Sequence, residues 1–203
     1  MSSNYGRNSM ISLNSVCVFC GSRKGFNTLH QKSAQQLGRD IAQAGIRLVY
    51  GGGGIGLMNV VAQAALDAKG NVTGVIPEYL ARSEKALESL TDLLVVDSLH
   101  ERKRIMFERS DAFVALPGGI GTLDEIIELL LWRQVGLHDK PIILVNEDNF
   151  WDPLETLLTQ LTKDGFAAAL TSHHYVVVET VDDVLPALRA APDPVIIPRL
   201  EQL

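Results

Sequence analysis

Short apolar runs alternate with amphipathic stretches along most of this chain. Short runs rich in valine, isoleucine and leucine predict buried strands, and apolar residues at three- to four-residue spacing predict helices. The predicted strands are 16–19, 46–50, 72–76, 93–96, 112–116, 141–145 and 175–178. The predicted helices are 31–44, 57–68, 83–90, 99–109, 122–135, 153–163 and 181–190.

Such an alternation predicts an α/β protein: a Rossmann-like, doubly wound, mainly parallel sheet of about seven strands with helices on both faces. Residues 15–190 are predicted to form one domain. Residues 1–14 read as a flexible tail, and the proline-containing stretch 191–203 as a C-terminal arm.

The parallel sheet has a geometric consequence for the loops. Every strand-to-helix loop lies at the carboxyl edge of the sheet, where ligands of this architecture bind. The turn at Gly21 and Ser22, the glycine cluster 51–56 and the loop 117–122 should therefore meet at one edge, within reach of one extended ligand.

Composition narrows the class of protein. The 203 residues are enough for a full core, and 46% hydrophobic with 21% charged residues is ordinary for a globular domain. The net charge of −6 argues against a nucleic-acid or membrane-surface binder. No apolar run approaches the roughly 20 residues that span a bilayer, and residues 1–14 lack the apolar core of a signal peptide. We expect a cytoplasmic protein.

The two cysteines, Cys17 and Cys20, have the spacing C-x-x-C but no second pair to complete a zinc site. Because they fall within and at the end of a predicted strand, buried structural thiols are favoured over a redox or metal role. We expect no metal and no cofactor.

A glycine-rich loop between a strand and a helix is the strongest local signal. Pro117, Gly118, Gly119 and Gly121 follow the apolar run 112–116 and precede a helical pattern. Such a loop presents backbone N–H groups and a helix N-terminus to an anion, and a phosphate is the expected ligand. The alternative is a plain turn, in which Thr122 and Glu125 form a capping box.

A second glycine cluster also lies between a strand and a helix. Gly51, Gly53 and Gly56 satisfy G-x-G-x-x-G, and Glu78 follows the next strand roughly where a ribose-binding acid belongs. A nicotinamide enzyme is therefore an alternative. The fingerprint, however, lies on the second strand, and the chain has no spare domain for a hydride acceptor.

Two helices carry further signals. Arg102 flanks the apolar stripe of the helix 99–109, where an arginine is costly unless it is paired. It could reach the glycine loop, because the following strand leads into that loop. The helix from Thr122 to Val135 is apolar nearly all round, which predicts packing against a second subunit; a deep core helix is the alternative.

These residues resemble a known family. The segment 117–125, Pro-Gly-Gly-Ile-Gly-Thr-Leu-Asp-Glu, is similar to the PGGxGTxxE motif of the LONELY GUY family, the cytokinin riboside 5′-monophosphate phosphoribohydrolases. The segment 100–103, His-Glu-Arg-Lys, matches a second signature of that family, and the similarity extends over about 16–165.

The resemblance implies a homodimer that needs no cofactor. It implies hydrolysis of the N-glycosidic bond of N6-modified adenosine 5′-monophosphates, and often of AMP, to free base and ribose 5-phosphate. Arg102 and Glu125 match the catalytic pair. The expected substrate contacts are Glu84, Lys103, Gly118, Gly119, Ile120, Gly121 and Thr122, with Gly21, Ser22, Gly53, Gly54 and Met58 from the other two loops. Leu131 stands where plant members have threonine, which bears on substrate preference.

Relatives are often labelled lysine decarboxylases, but the sequence shows no sign of a Schiff-base lysine with a pyridinium partner. Our mechanistic hypothesis places the 5′-phosphate on residues 118–122. Glu125 would stabilise positive charge at C1′ and activate water, and Arg102 would keep Glu125 ionised. A nucleotide-binding carrier or sensor without turnover is the alternative.

Overall fold

A computed structural model describes residues 13–87, 89–167 and 174–192. Within them, seven parallel strands form one sheet in the order β4-β3-β2-β1-β5-β6-β7. The strands are β1 (Ser15–Phe19), β2 (Arg47–Tyr50), β3 (Val72–Pro77), β4 (Asp92–Val96), β5 (Ala112–Ala115), β6 (Ile142–Val145) and β7 (Val176–Val178). The predicted α/β class and parallel sheet are confirmed.

Helices connect successive strands. They are α1 (Thr28–Gln43), α2 (Gly56–Asp67), α3 (Glu78–Ala81), α4 (Leu99–Glu108), α5 (Ile120–Gln134), α6 (Asp152–Lys163) and α7 (Val184–Ala190), with single 3-10 turns at Glu147–Asn149 and Val181–Asp183. In the described ranges no helix combines the length and the apolar character needed to cross a bilayer.

Helices cover both faces of the sheet because the strand side chains alternate between two cores. Val16 and Val18 of β1 join the core under α1 and α2, whereas Cys17 and Phe19 join the core under α4 and α5. The central strands are buried on both faces, which is why they read as continuous apolar runs instead of alternating ones.

The strand order reverses direction between β1 and β5, which pair directly at the centre of the sheet. In open α/β sheets the crevice at such a switch point is the preferred ligand site. The turn after β1 and the glycine-rich loop after β5 therefore flank the expected position.

The prediction of a helix over 83–90 is wrong. The only helix between β3 and β4 in the described residues is the short α3, Glu78–Ala81. The backbone that follows makes a few turn-like local bonds and also bonds to the glycine cluster. Gly54 N–H donates to Glu84 O at 2.8 Å, and Leu87 N–H donates to Gly52 O at 3.3 Å. Lys85 has a positive φ of 49°, which a helix does not allow.

Two helix starts also differ from prediction. The first helix begins at Thr28 because the Asn27 side chain caps it, accepting a bond from Leu29 N–H. Helix α5 begins at Ile120, with Gly119 as a cap that has no side-chain bond. Thr122 thus lies inside the helix, and the capping-box alternative is excluded. The predicted tail and arm lie almost wholly outside the described residues.

Candidate active site

A cavity of about 130 Å³ opens at the carboxyl edge of the sheet, near the switch point between β1 and β5. The ends of β1 and β2, the starts of α2 and α5, and one side chain of α4 contribute to its wall. Its lining residues are Val18, Phe19, Cys20, Ser22, Gly51, Met58, Glu84, Arg102, Gly119, Ile120, Gly121, Thr122 and Glu125.

Backbone hydrogen bonds join the three predicted loops. Gly21 N–H donates to Pro117 O at 3.1 Å, and Gly21 O accepts from Leu57 N–H at 2.9 Å. Gly56 has a φ of +60°, and a Cβ there would lie 2.2 Å from the carbonyl carbon of Ser22, so only glycine permits this approach. The predicted meeting of these loops at one edge is confirmed.

The glycine-rich loop leaves the start of α5 open to a ligand. The first backbone hydrogen bond from the helix back to the loop runs from Leu123 N–H to Gly119 O, at 3.0 Å. The N–H groups of Ile120, Gly121 and Thr122 precede it and have no side-chain cap. Orphan donors at a helix N-terminus, together with the helix dipole, form an anion site.

Arg102 is buried, with 7% of its surface exposed. Its Nε–H donates to Val75 O at 3.1 Å and its Nη2 donates to Gly51 O at 2.8 Å. These bonds offset the cost of burying a guanidinium and use two of its five N–H groups. Arg102 thus reaches the cavity, as predicted, from a helix that precedes the glycine loop in sequence.

Glu125 lies one turn into α5 and faces the same cavity. Burial raises the pKa of Glu125 from 4.5 to about 7, although the Arg102 guanidinium acts to lower it. The carboxylates of Asp124 and Glu84 raise the pKa further. The expectation that Arg102 keeps Glu125 ionised therefore holds in direction, but burial outweighs it.

Glu84 brings a second carboxyl group to the cavity. Its Oε2 lies 3.9 Å from Nη2 of Arg102 and is buried without a hydrogen-bond partner among the described residues. Burial raises the pKa of Glu84, and the Arg102 guanidinium opposes the shift. The cavity thus holds one cation and two carboxyl groups.

Some predicted contacts lie outside this cavity. The ammonium of Lys103 is 2.9 Å from Asp124 Oδ2 and 3.0 Å from Glu128 Oε2, in ion pairs that tie α4 to α5. Gly53 and Gly54 pack against Glu84 and the backbone of Lys85. Substrate contacts by these residues stay predictions.

Gly21 and Gly118 line an adjoining cavity of about 470 Å³ on the other side of the glycine loop. Ser22, Gly119 and Ile120 belong to both cavities, so the loop divides one larger cleft. An extended ligand could contact both parts.

Four of the residues that line the cavity were not predicted as site residues: Val18, Phe19, Cys20 and Gly51. Val18 and Phe19 were predicted as core strand and Cys20 as the start of the following turn, because an apolar run does not reveal which of its side chains lies under a cleft. Gly51 belonged to the glycine fingerprint, which was the available signal. A Cβ at this position would lie 1.9 Å from Nη2 of Arg102.

The cysteines are both buried and free. Burial raises the pKa of both thiols well above the ordinary range, and the Glu125 carboxylate adds to the effect. They are protonated at neutral pH and unreactive, in agreement with the structural interpretation. Among the described residues, no group of three or more His, Cys, Asp or Glu could hold a metal ion.

The dinucleotide interpretation finds no support in the second glycine cluster. Backbone groups of Gly52 and Gly54 bond to the segment 84–87, so the cluster packs against protein on that side. Gly53 faces Met58 and the Glu84 carboxyl group. On that side the cluster packs against the chain, while Gly51 lines the cavity.

Residues 58–188 match the family model described as "Possible lysine decarboxylase". A cytokinin riboside 5′-monophosphate phosphoribohydrolase from Rhodococcoides fascians is 43% identical over 87% of this chain and 89% of that protein. A probable enzyme of the same name from Oryza sativa subsp. japonica is 43% identical over 84% of this chain and 76% of that protein. The Arabidopsis thaliana enzyme LOG2 is 42% identical over 76% and 72%.

Solved structures show the same fold at lower sequence identity. The molybdenum cofactor binding protein from Rippkaea orientalis superposes with a TM-score of 0.67 at 22% identity, covering 88% of this chain and 96% of that one. The molybdenum cofactor carrier protein from Chlamydomonas reinhardtii gives 0.66 at 22% identity, covering 87% and 96%. With a matched family model and relatives above 40% identity over most of its length, the chain belongs to the LONELY GUY family.

Proposed function

We propose that this protein hydrolyses the N-glycosidic bond of N6-modified adenosine 5′-monophosphates, and of AMP, to free base and ribose 5-phosphate. The observation that carries the proposal is the cavity itself. It combines an open helix N-terminus, suited to a phosphate, with a partly buried carboxyl group, Glu125, whose pKa is raised to about 7. The names of the relatives support the same reaction.

The proposed chemistry starts from the phosphate. The N–H groups of residues 120–122 hold it, which sets the ribose beside Glu125 one turn along the same helix. Cleavage of the glycosidic bond develops positive charge at C1′, which the ionised carboxylate stabilises. A group with a pKa near the working pH is also well matched to accept a proton from the attacking water.

Arg102 has a different role in this scheme. Its bonds to the carbonyls after β2 and within β3 hold the guanidinium rigidly beside both carboxyl groups. Its remaining N–H groups make no hydrogen bond within the described part of the chain and would bind ribose or phosphate oxygens. It also favours the ionised form of Glu125, against the effect of burial.

Pyridoxal phosphate chemistry, which the family model's description suggests, does not fit this cavity. A decarboxylase of that kind needs a lysine to form the Schiff base. No lysine lines the cavity that holds Arg102 and Glu125, and Lys103 is held in ion pairs with Asp124 and Glu128. Lys24 lines the adjoining cavity, on the other side of the glycine loop. We therefore derive no step through that cofactor.

The test is incubation of the purified protein with isopentenyladenosine 5′-monophosphate and with AMP, with free base measured by chromatography. Glu125→Gln should lower kcat by roughly 100- to 10,000-fold, the usual range for loss of an acid–base group. Glu108→Gln, at the exposed end of α4 and outside the cavity, is the matched control and should stay close to wild type.

Two outcomes would contradict the proposal. Equal cleavage of nucleosides without the 5′-phosphate would remove the phosphate role of the loop. Binding of AMP without release of adenine would instead favour a carrier or sensor.

We also propose that two chains pair through α5. Its outward face exposes Ile120, Ile127, Leu131 and Val135 by 82%, 43%, 52% and 55%. The inward residues Ile126, Leu129 and Leu130 are buried in the core of the chain, so the helix is apolar on both sides.

The cytoplasmic location stays a prediction of the sequence.

A further inference from the structure

We propose that Glu84 is a second catalytic carboxyl group, which protonates the leaving base while Glu125 acts on water and on the developing cation. This inference rests on the proposed hydrolysis and assigns the proton donor within it. Glu84 lies between β3 and β4, outside both glycine-rich motifs, in the segment that sequence patterning misread as a helix.

The first support is position. Glu84 and Glu125 line the same cavity from different elements, and both interact electrostatically with Arg102. Enzymes that hydrolyse glycosidic bonds usually place two carboxyl groups at the bond. One acts as the general acid, and the other acts as a base or stabilises the positive charge at the anomeric carbon.

The second support is the state of the carboxyl group. Its Oε2 is buried and has no donor among the described residues, and the nearest Arg102 nitrogen is 3.9 Å away. A buried carboxylate normally accepts hydrogen bonds, so an oxygen without a donor favours the protonated form. A bound phosphate adds negative charge nearby, which favours protonation further.

The third support is how firmly the group is held. Glu84 O accepts from Gly54 N–H at 2.8 Å, and Glu84 N–H donates to Leu80 O at 2.8 Å. A Cβ at Gly53 would lie 3.2 Å from Oε2 of Glu84 and 2.6 Å from Cε of Met58. Because Gly53 has no side chain, the glycine cluster leaves room for the Glu84 carboxyl group.

The chemistry requires such a donor. When the bond from C1′ to the base nitrogen breaks, the electron pair goes to the base, and an adenine leaves poorly as an anion. The Glu84 proton passes to a ring nitrogen of the base, the water oxygen bonds to C1′, and Glu125 takes the water proton. Glu125 then releases the water proton to solvent and Glu84 takes one up, so both groups return to their starting states. The sum is nucleotide plus water to base plus ribose 5-phosphate.

Other lining groups are poorer donors. The Cys20 thiol has a raised pKa and gives up its proton reluctantly. A guanidinium, as on Arg102, does not serve as a proton donor in proteins, and hydroxyl groups such as those of Ser22 and Thr122 are very weak acids. Glu84 and Glu125 are the remaining acids among the lining residues of the cavity. In the proposed scheme Glu125 already acts on the attacking water, which leaves Glu84 as the proton donor.

The experiment compares Glu84→Gln with wild type on two substrates. One is AMP. The other is 4-nitrophenyl β-D-ribofuranoside 5′-phosphate, whose leaving group departs as a phenolate and needs no proton. The variant should lose about 100-fold or more in kcat on AMP but stay within about fivefold of wild type on the nitrophenyl substrate. An equal loss on both substrates would overturn the assignment, because a binding or structural role affects both.

A pH profile gives a second measurement that does not depend on a variant that folds poorly. Wild-type kcat/KM on AMP should fall at alkaline pH as the acid loses its proton, and the nitrophenyl substrate should show no such fall. Glu84→Asp, which keeps the acid, should retain the alkaline fall on AMP. Identical alkaline limbs for both substrates would overturn the assignment.

Failure of the proposed function is distinguishable from failure of this inference. If wild type releases base from neither AMP nor isopentenyladenosine 5′-monophosphate, the hydrolase proposal falls and this inference falls with it. If wild type is active and Glu84→Gln matches it on AMP, only the role of Glu84 is lost.

Discussion

At the scale of single residues, Glu125 combines function with a cost in stability. The folded state raises its pKa from 4.5 to about 7, so between these values the folded chain binds more protons than the unfolded chain. Stability contributed by this group is therefore present at low pH and is lost as the pH rises through this window. A shift of this size corresponds to about 3 kcal/mol at most.

Glu125→Gln should remove that penalty. We expect the variant to be more stable than wild type at pH 8, by up to about 3 kcal/mol in the free energy of unfolding, but by no more than about 1 kcal/mol at pH 5. Chemical denaturation at the two pH values measures the difference. Glu108→Gln, at the exposed end of α4, is the control and should show no gain that grows with pH. A gain of the same size at both pH values would contradict burial of charge as the cause.

At the scale of elements, the turn from β5 into α5 depends on close packing between a glycine and a threonine. A Cβ at Gly118 would lie 2.1 Å from Oγ1 and 2.6 Å from Cβ of Thr122, which is itself buried. Thr122 is short and β-branched and cannot move aside without moving the helix start. The loop is thus held in the shape that aims its N–H groups at the cleft.

Gly118→Ala should destabilise the protein by about 1–3 kcal/mol, as overpacking does, and should raise KM for the nucleotide. Gly119→Ala is a matched control for stability. A Cβ there meets nothing within 4 Å, and its φ of −100° suits any residue. Urea denaturation of both variants gives the comparison. Similar free energies of unfolding for the two would show that the loop tolerates the contact with Thr122.

At the scale of the whole molecule, the outward face of α5 is the feature that one chain leaves unexplained. Ile127 and Leu131 stand one turn apart on it and are exposed. Exposed apolar groups in a row along one helix face mark an interaction surface more often than chance exposure.

The double variant Ile127→Asp with Leu131→Asp should convert a dimer to a monomer, because charges at an apolar interface are desolvated without partners. Light scattering after size exclusion should give about twice the 22.1 kDa chain mass for wild type and a single chain mass for the variant. Leu157→Asp on α6, where the leucine is 54% exposed, is the control and should leave the mass unchanged. A wild-type protein that elutes as a single chain would remove the proposal.

The predicted fold and much of the predicted site agree with the structure because their causes are local. Strand and helix periods follow from which side chains must be buried, and the glycine loop follows from the turn between β5 and α5. Arg102 and Glu125 were found because each lies on a helix next to that loop in sequence. Glu84 was named only through the family resemblance, since its segment has no regular pattern.

What the sequence by itself determined is the alternation of strands and helices, the carboxyl edge as the place of the site, and the glycine loop as its anion-binding part. Only the tertiary structure decided that 84–87 lies against the second glycine cluster, that Lys103 is held by Asp124 and Glu128, and that burial raises the pKa of Glu125 to about 7. The physical reason is the distance along the chain over which each effect acts. Backbone preference and hydrophobic period act over a few residues, whereas burial of a charge and its partners depends on chain segments that meet only after folding.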